Sequence, residues 1–264
     1  MTSSILLTGG TGTLGRLVAP LLRDAGRDVR VLSRRSHDSG DGIEFVIGDL
    51  ATGDGIEAAA KGVETIVHCA GSSKGDEHKA RNLVRAAVAA DAQHLVFISV
   101  VGADRIPTVS PVDRAMFGYV ASKRAAELVV ADSGLPWTTL RATQFHDLML
   151  TVAEALAKLP VMPVPAGFRF QPVDAGEVAA RLVELALGRP SGVVPDIAGP
   201  RVYGIDELLR SYLRASHRRR LILPVRLPGK AARAFRAGAN LAPDQAVGHR
   251  TWEDFLAQRL ARVG

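Results

Sequence analysis

Short apolar runs alternate with amphipathic stretches along the first half of the chain. Ile5-Leu6-Leu7, Val29 to Leu32, Ile43 to Ile47, Thr65 to Cys69, His94 to Val100 and Leu135 to Arg141 each read as a buried strand. Between them, Leu14 to Leu22, Asp54 to Lys61, Glu77 to Ala90 and Met116 to Asp132 have helical spacing; in the third, apolar positions fall at Leu83, Val84, Ala87 and Val88. Gly26 and Gly62 stop the first two helices. Alternation without a break from Ser4 to Leu140 calls for a parallel sheet with right-handed crossovers, an α/β doubly wound fold.

The second half is less regular. Helices are expected over Gln144–Leu159, Asp174–Leu187, Asp206–Ser216, Gly229–Ala239 and Thr251–Arg262, with strands over Val193–Ala198 and Leu221–Pro224. The stretch from Leu159 to Pro172 carries four prolines among apolar residues. The expected division is a core over residues 1–150 and a smaller, mixed region over 151–264 that covers the open edge of the sheet, the whole forming one compact unit.

Composition narrows the classes. The chain has 264 residues and is 47% hydrophobic, enough for a full core. A single cysteine, Cys69, excludes a disulfide framework and a cysteine-rich metal site, and no metal is expected. His68 and Cys69 are adjacent on a strand and face opposite ways, which suits core packing rather than a metal pair. No apolar run is long enough to span a membrane, and the first strand starts within a few residues of Met1. The expectation is a cytoplasmic protein with no membrane partner, a monomer or homodimer. The net charge is +6, yet only Arg218-Arg219-Arg220 forms a basic run. It lacks interleaved aromatics, so a solvated strand entrance explains it better than nucleic-acid binding.

The first strand leads into Thr8-Gly9-Gly10-Thr11-Gly12-Thr13-Leu14-Gly15, and a helix follows. Glycines permit the tight turn and a close approach of pyrophosphate, while the helix N-terminus offers unpaired N–H groups. The spacing Gly9-x-x-Gly12-x-x-Gly15 is one residue wider at the front than the dehydrogenase fingerprint. The second strand ends in Ser33-Arg34-Arg35-Ser36, where an acidic residue would hold the ribose hydroxyl of NAD. Arginine there matches a 2′-phosphate, so NADP(H) is expected and NAD(H) ranks second. After the third strand, Asp49 offers an acceptor for the adenine amino group and Leu50 a surface for its ring, with capping of the next helix as the alternative role of Asp49. The small residues Ala70-Gly71-Ser72-Ser73 after the fourth strand leave room for a ligand.

Tyr119-x-x-x-Lys123 places a phenol and an ammonium on one helix face. An ammonium about 4 Å from a phenolate stabilises it by about 4 kcal/mol at an effective dielectric of about 20. The pair is therefore expected to work as a general acid–base near neutral pH.

Together these motifs resemble the short-chain dehydrogenase/reductase superfamily, in its atypical NmrA-like branch of NAD(P)-binding proteins. The likeness runs through the glycine turn, Gly48-Asp49-Leu50, His68-Cys69-Ala70-Gly71, Phe97-Ile98-Ser99-Val100-Val101-Gly102, Tyr119-x-x-x-Lys123 and Leu135 to His146, and weakly on to Thr251-Trp252-Glu253-Asp254-Phe255-Leu256. It implies a Rossmann-type core in which Gly9, Gly10, Thr11, Gly12, Thr13 and Leu14 hold the pyrophosphate and Ser33, Arg34 and Arg35 the 2′-phosphate end. Asp49 and Leu50 would meet adenine. Cys69, Ala70, Gly71 and Ser99 would adjoin the nicotinamide ribose, and Thr143, Gln144 and Phe145 would line the nicotinamide. Lys123 would hydrogen-bond the ribose and tune Tyr119, which would protonate a carbonyl oxygen as hydride arrives.

One position departs from the superfamily: Val101 stands where its catalytic serine usually lies, with Thr108 and Ser110 the nearest other hydroxyls. The leading expectation is an NADPH-dependent oxidoreductase acting on a small apolar carbonyl or quinone near Phe145, Met149, Phe168 and Phe170. A non-catalytic NADP(H)-binding redox sensor is second. An epimerase or dehydratase of nucleotide sugars is third.

Overall fold

The structure is a computed structural model describing residues 4–40, 42–71 and 75–261. In chain order the elements are β1 (Ser4–Thr8), α1 (Gly15–Asp24), β2 (Asp28–Ser33), β3 (Ile43–Ile47), α2 (Ile56–Ala60), β4 (Thr65–His68), α3 (Asp76–Ala89), β5 (His94–Val100), α4 (Pro111–Ala131) and β6 (Trp137–Ala142). There follow α5 (His146–Leu156), β7 (Val161–Pro165), β8 (Arg169–Phe170), α6 (Ala175–Leu187), β9 (Gly192–Val193), β10 (Tyr203–Gly204), α7 (Ile205–Ala215), β11 (Leu221–Val225), α8 (Lys230–Arg236) and α9 (Trp252–Ala261). The last residue of the expected closing helix, Arg262, lies outside the described residues, as do Ser72 and Ser73.

Seven strands form a parallel sheet in the order β3-β2-β1-β4-β5-β6-β9. The order reverses at β1, which pairs Leu6 with Arg30 on one side and with Ile66 on the other. Every residue of β4 is buried, which is why these strands read as continuous apolar runs rather than alternating ones. Leu6, Ile66, Leu95 and Phe97 from the sheet join Leu83, Ala87, Ala126 and Val130 from the helices in one core cluster.

The residues divide into two compact units: Met1–Ser99, Gly118–Arg141 and Gly176–Pro195 in the first, and Val100–Phe117, Ala142–Ala175 and Asp196–Gly264 in the second. Helix α6 and β9, from the second half of the chain, belong to the first unit, where β9 pairs with β6. In the second unit, β7 pairs with β11 in a two-stranded parallel ribbon and β8 pairs with β10. Trp252 is fully buried there and donates from Nε1 to the Leu208 carbonyl at 3.1 Å.

Several expected boundaries shift for local reasons. The proline-rich stretch holds β7 and β8, which alternation alone did not reveal. The strand expected over 193–198 is reduced to β9 and a single bridge between Ala142 and Ile197. Helix α4 starts five residues before Met116, at Pro111, and its geometry breaks at Phe117 (φ −126°, ψ 18°), two residues ahead of Tyr119.

Candidate coenzyme and proton-donor site

The glycine turn is built by close contacts. Gly9 has φ +72°, and a Cβ on it would lie 2.5 Å from the Ala70 nitrogen at the end of β4. A methyl on Gly15 would run into the Gly9 carbonyl, so α1 can start only where the side chain is absent. The Gly12 N–H closes the turn onto the Gly9 carbonyl at 3.0 Å. The N–H groups of Thr13 and Leu14 have no acceptor among the described residues, no side chain caps α1, and its first turn holds no acid. These free donors, with the helix dipole behind them, fit the diphosphate of a dinucleotide.

At the end of β2, the Ser33 hydroxyl accepts the Arg35 N–H at 3.2 Å and lies 3.0 Å from His37 Nε2. Arg34 and Arg35 are exposed, and their side chains have no partner among the described residues. They are open to a phosphate. Asp49 Oδ1 accepts the Ala51 N–H at 2.8 Å and so ties its own turn, while α2 carries no side-chain cap. Leu50 is 7% exposed and belongs to the core cluster, which leaves little of it to meet an adenine ring.

Lys123 is buried under the carboxyl edge of the sheet. Its Nζ donates to the Ile98 carbonyl at 3.3 Å, lies 3.5 Å from Asp76 Oδ2, and sits 5.0 Å from the Phe97 ring centre. A Cβ on Gly71 would come within 3.0 Å of that nitrogen, so a side chain there would press on the lysine. Asp76, the first residue of α3, is 1% exposed, and its N–H donates to the Ser122 hydroxyl at 3.1 Å. Burial pulls the Lys123 ammonium below the usual lysine range, and the Asp76 carboxylate opposes that.

Tyr119 is 40% exposed, with its ring centre 5.9 Å from Lys123 Nζ. Lys123 is expected to lower the phenol's pKa, and two other influences act the opposite way. Partial burial first, and then the charge of Asp76, push the phenol up to about 12. Solvent at the exposed ring screens part of this rise, but burial and the neighbouring anion act in the same direction. Tyr119 is thus a neutral hydroxyl at pH 7, able to donate a proton. Nothing local in the sequence marks Asp76 as its neighbour, since the helix reads as starting one residue later and the pair is 43 positions apart.

Cys69 is half-buried just beyond β4, and burial pushes its thiol up to about 12. His68 is core: it stacks on Phe97, and its Nδ1 lies 2.6 Å from the Thr8 hydroxyl. Ser99 is 2% exposed, with no hydrogen-bond partner for its hydroxyl among the described residues. Ser110 is committed to the start of α4, donating to Asp113 Oδ2 at 2.8 Å and accepting the Asp113 N–H at 3.0 Å. Val101 is 2% exposed.

Thr143, Gln144 and Phe145 lie in the second unit, as do Val101, Thr108 and Ser110, whereas the glycine turn, Arg34, Asp49, Gly71, Ser99, Tyr119 and Lys123 lie in the first. Thr143 Oγ1 and Gln144 Oε1 are buried with no hydrogen-bond partner among the described residues. Of the expected substrate-side apolar residues, Met149 and Phe168 are core, and Phe168 stacks on Phe235 with ring centres 5.2 Å apart.

A (4-alkanoyl-5-oxo-2,5-dihydrofuran-3-yl)methyl phosphate reductase of Streptomyces griseus is 32% identical over 161 residues, covering 60% of this chain and 54% of that one. An NAD(P)H azoreductase of Xenophilus azovorans is 27% identical over 191 residues, 70% of this chain and 64% of that one. The chain spans about half the length of the first of these relatives. In fold it is similar to an NADPH-dependent quinone oxidoreductase of Escherichia coli solved with NADPH, with a TM-score of 0.77 at 20% identity over 98% of this chain and 99% of that one. A family pattern described as NAD(P)H-binding matches residues 9–163, more than half of the chain, and the protein belongs to that family.

Proposed function

We propose that the protein is an NADPH-dependent reductase of a small apolar carbonyl or quinone-like acceptor. The observation that carries the reading is a half-exposed, neutral Tyr119 one helical turn from a buried Lys123, in the same unit as the glycine turn and Arg34. Bound NADPH supplies a hydride. The backbone N–H groups of Thr13 and Leu14 hold the diphosphate, and Arg34 with Arg35 neutralises the 2′-phosphate, which favours NADPH over NADH. Lys123, fixed by Asp76 and the Ile98 carbonyl, presents its remaining donor capacity beside Gly71, where the nicotinamide ribose would lie. The Tyr119 hydroxyl delivers its proton to the acceptor oxygen. A phenol near 12 remains a stronger acid than an alkoxide's conjugate alcohol, so the transfer runs downhill. Names of the relatives, an azoreductase and a phosphate-bearing butenolide reductase among them, support reduction of a conjugated acceptor.

The second reading is an NADP(H)-binding sensor without turnover. It is favoured by the missing hydroxyl: Val101 replaces the usual serine, and Ser110 is engaged elsewhere.

The test measures NADPH and NADH oxidation with a panel of quinones, alongside direct coenzyme titration, for wild type and Tyr119→Phe. The reductase reading expects turnover that falls by about 10²–10⁴-fold in Tyr119→Phe with NADPH affinity unchanged. Tight NADPH binding with no turnover in either protein points to the sensor. Absence of binding by both coenzymes ends both readings.

A further inference from the structure

The ribbon formed by β7 and β11 in the second unit has two unlike faces. Its register pairs Leu221 with Val161, Leu223 with Pro163 and Val225 with Pro165. Side chains alternate across a strand, so these six share one face. That face is bare: Leu221 is 66%, Leu223 50%, Val225 39% and Val161 36% exposed. On the opposite face Met162 and Val164 are at 2% or less and Ile222 is half-buried, with only Pro224 exposed. Isolated exposed aliphatics are ordinary, but a whole ribbon face of them, without one polar side chain, is not.

The segments that carry and flank the two strands are basic in sequence. Residues 208–243 contain nine lysines and arginines and no aspartate or glutamate, and residues 155–173 contain two and none. Because the strands run parallel, Lys158 and Arg218–Arg219–Arg220 gather at one end of the ribbon, and Arg226 stands at the other. The side chains of Lys158, Arg218, Arg219 and Arg226 have no partner among the described residues. Arg220 is different, tied to the Ala157 carbonyl at 2.9 Å.

From this juxtaposition we infer that the outer face of the β7/β11 ribbon seats the protein on an anionic lipid bilayer, the aliphatics entering the headgroup layer and the cations meeting lipid phosphates. Aliphatic residues ringed by cations are the composition of an interfacial contact. The free edge of β11 argues against an added strand from another protein or a second copy. The Ala166 N–H donates to the Val225 carbonyl at 2.9 Å, so Val225 turns its backbone toward β7 and Pro224 turns its own outward. Proline has no N–H to give, and the edge is blunted there. The exposed side chains also lack the aromatic anchors that centre protein interfaces. The sequence expectation of no membrane partner rested on the lack of a spanning segment, and no helix among the described residues is long and apolar enough to cross. Lying on the surface is a separate mode, and it does not depend on the coenzyme reading above.

Vesicle flotation with the full chain tests this, using phosphatidylcholine with and without phosphatidylglycerol at low and high salt. Wild type is expected on the anionic vesicles only, and released by salt. Each arginine removed should weaken binding about fivefold, so Arg218→Ala/Arg219→Ala/Arg226→Ala together should weaken it on the order of a hundredfold. Leu221→Ser/Leu223→Ser should also release it, with the melting temperature of both variants near wild type because the substituted side chains are solvent-exposed. Failure to float with anionic vesicles, equal flotation with neutral ones, or retention by both variants overturns the inference. Self-association in sedimentation velocity that Leu221→Ser/Leu223→Ser abolishes, without flotation, assigns the face to a second copy and overturns it as well.

Discussion

At the residue scale, the charge state of the proposed site depends on burial first and then on Asp76, not on the tyrosine–lysine spacing alone. Asp76 lies 3.5 Å from Lys123 Nζ, and Lys79 sits 3.9 Å from its other oxygen. Lys123 also has Cys69 and Glu127 in its electrostatic surroundings, and His68 lies below it in β4. Replacing Asp76 by Asn removes the anion that raises Tyr119, so the phenol's pKa should move down from about 12. A phenolate absorbance titration of Asp76→Asn, differenced against Tyr119→Phe, reads that movement without any need for turnover. The same substitution strips the counter-charge from a buried ammonium, at a cost of about 3–5 kcal/mol if Lys123 stays charged. An unmoved phenol would mean that Asp76 acts only as a structural partner.

At the scale of elements, the glycine turn shows which features local sequence can carry. Its strand, turn and helix were readable because each is encoded within a few residues: apolar run, glycine spacing, amphipathic period. The boundaries of β3 and β5 follow from composition in the same way. The ribbon of β7 and β11 is half hidden, since Val161-Met162-Pro163-Val164-Pro165 contains two prolines, which interrupt the strand signal. It can be a strand because a two-stranded ribbon has free edges that tolerate a missing donor. Asp76 was hidden for another reason, its role being fixed by a contact with Lys123 and Ser122 on a distant helix. The turn itself yields a sharp expectation. In Gly9→Ala the new methyl would meet the Ala70 nitrogen at 2.5 Å, at a residue with φ +72°. Either β4 is pushed aside or the turn opens, and both spoil the row of N–H donors. Isothermal titration should show coenzyme affinity lost in Gly9→Ala, while circular dichroism keeps the helix and strand content of the sheet. Unchanged affinity would show that the turn does not hold the diphosphate.

For the whole molecule, three histidines buried in a neutral state govern how stability depends on pH. Burial, then Lys123 and Lys79, hold His68 down at about 3, and burial lowers His94 as well. His146 is fully buried beside Trp252 and Phe255, with ring centres 6.1 and 5.1 Å away, and neither of its nitrogens has a hydrogen-bond partner among the described residues. Burial chiefly brings it to about 4; Asp174 and Glu253 pull upward and Arg250 downward. In each case the folded pKa lies below the unfolded value of about 6.5. The unfolded chain therefore takes up protons that the native state refuses as pH falls below that value. Stability is fully present above it and is lost on acidification, by up to about 1.4 kcal/mol per pH unit for each histidine, until the folded group itself titrates. His146 offers a clean separation of this effect from the acid loss of surface carboxylate pairing. Its ring lies among aromatics, and an apolar ring of similar shape removes a buried polar group that has nothing to bond to. His146→Phe should hold or raise the melting temperature at neutral pH and flatten the decline between about pH 6.5 and 4, since one proton fewer separates the folded from the unfolded state. Melting curves of wild type and variant across that interval measure both, and parallel declines would show that His146 is not one of the groups that takes up a proton on unfolding.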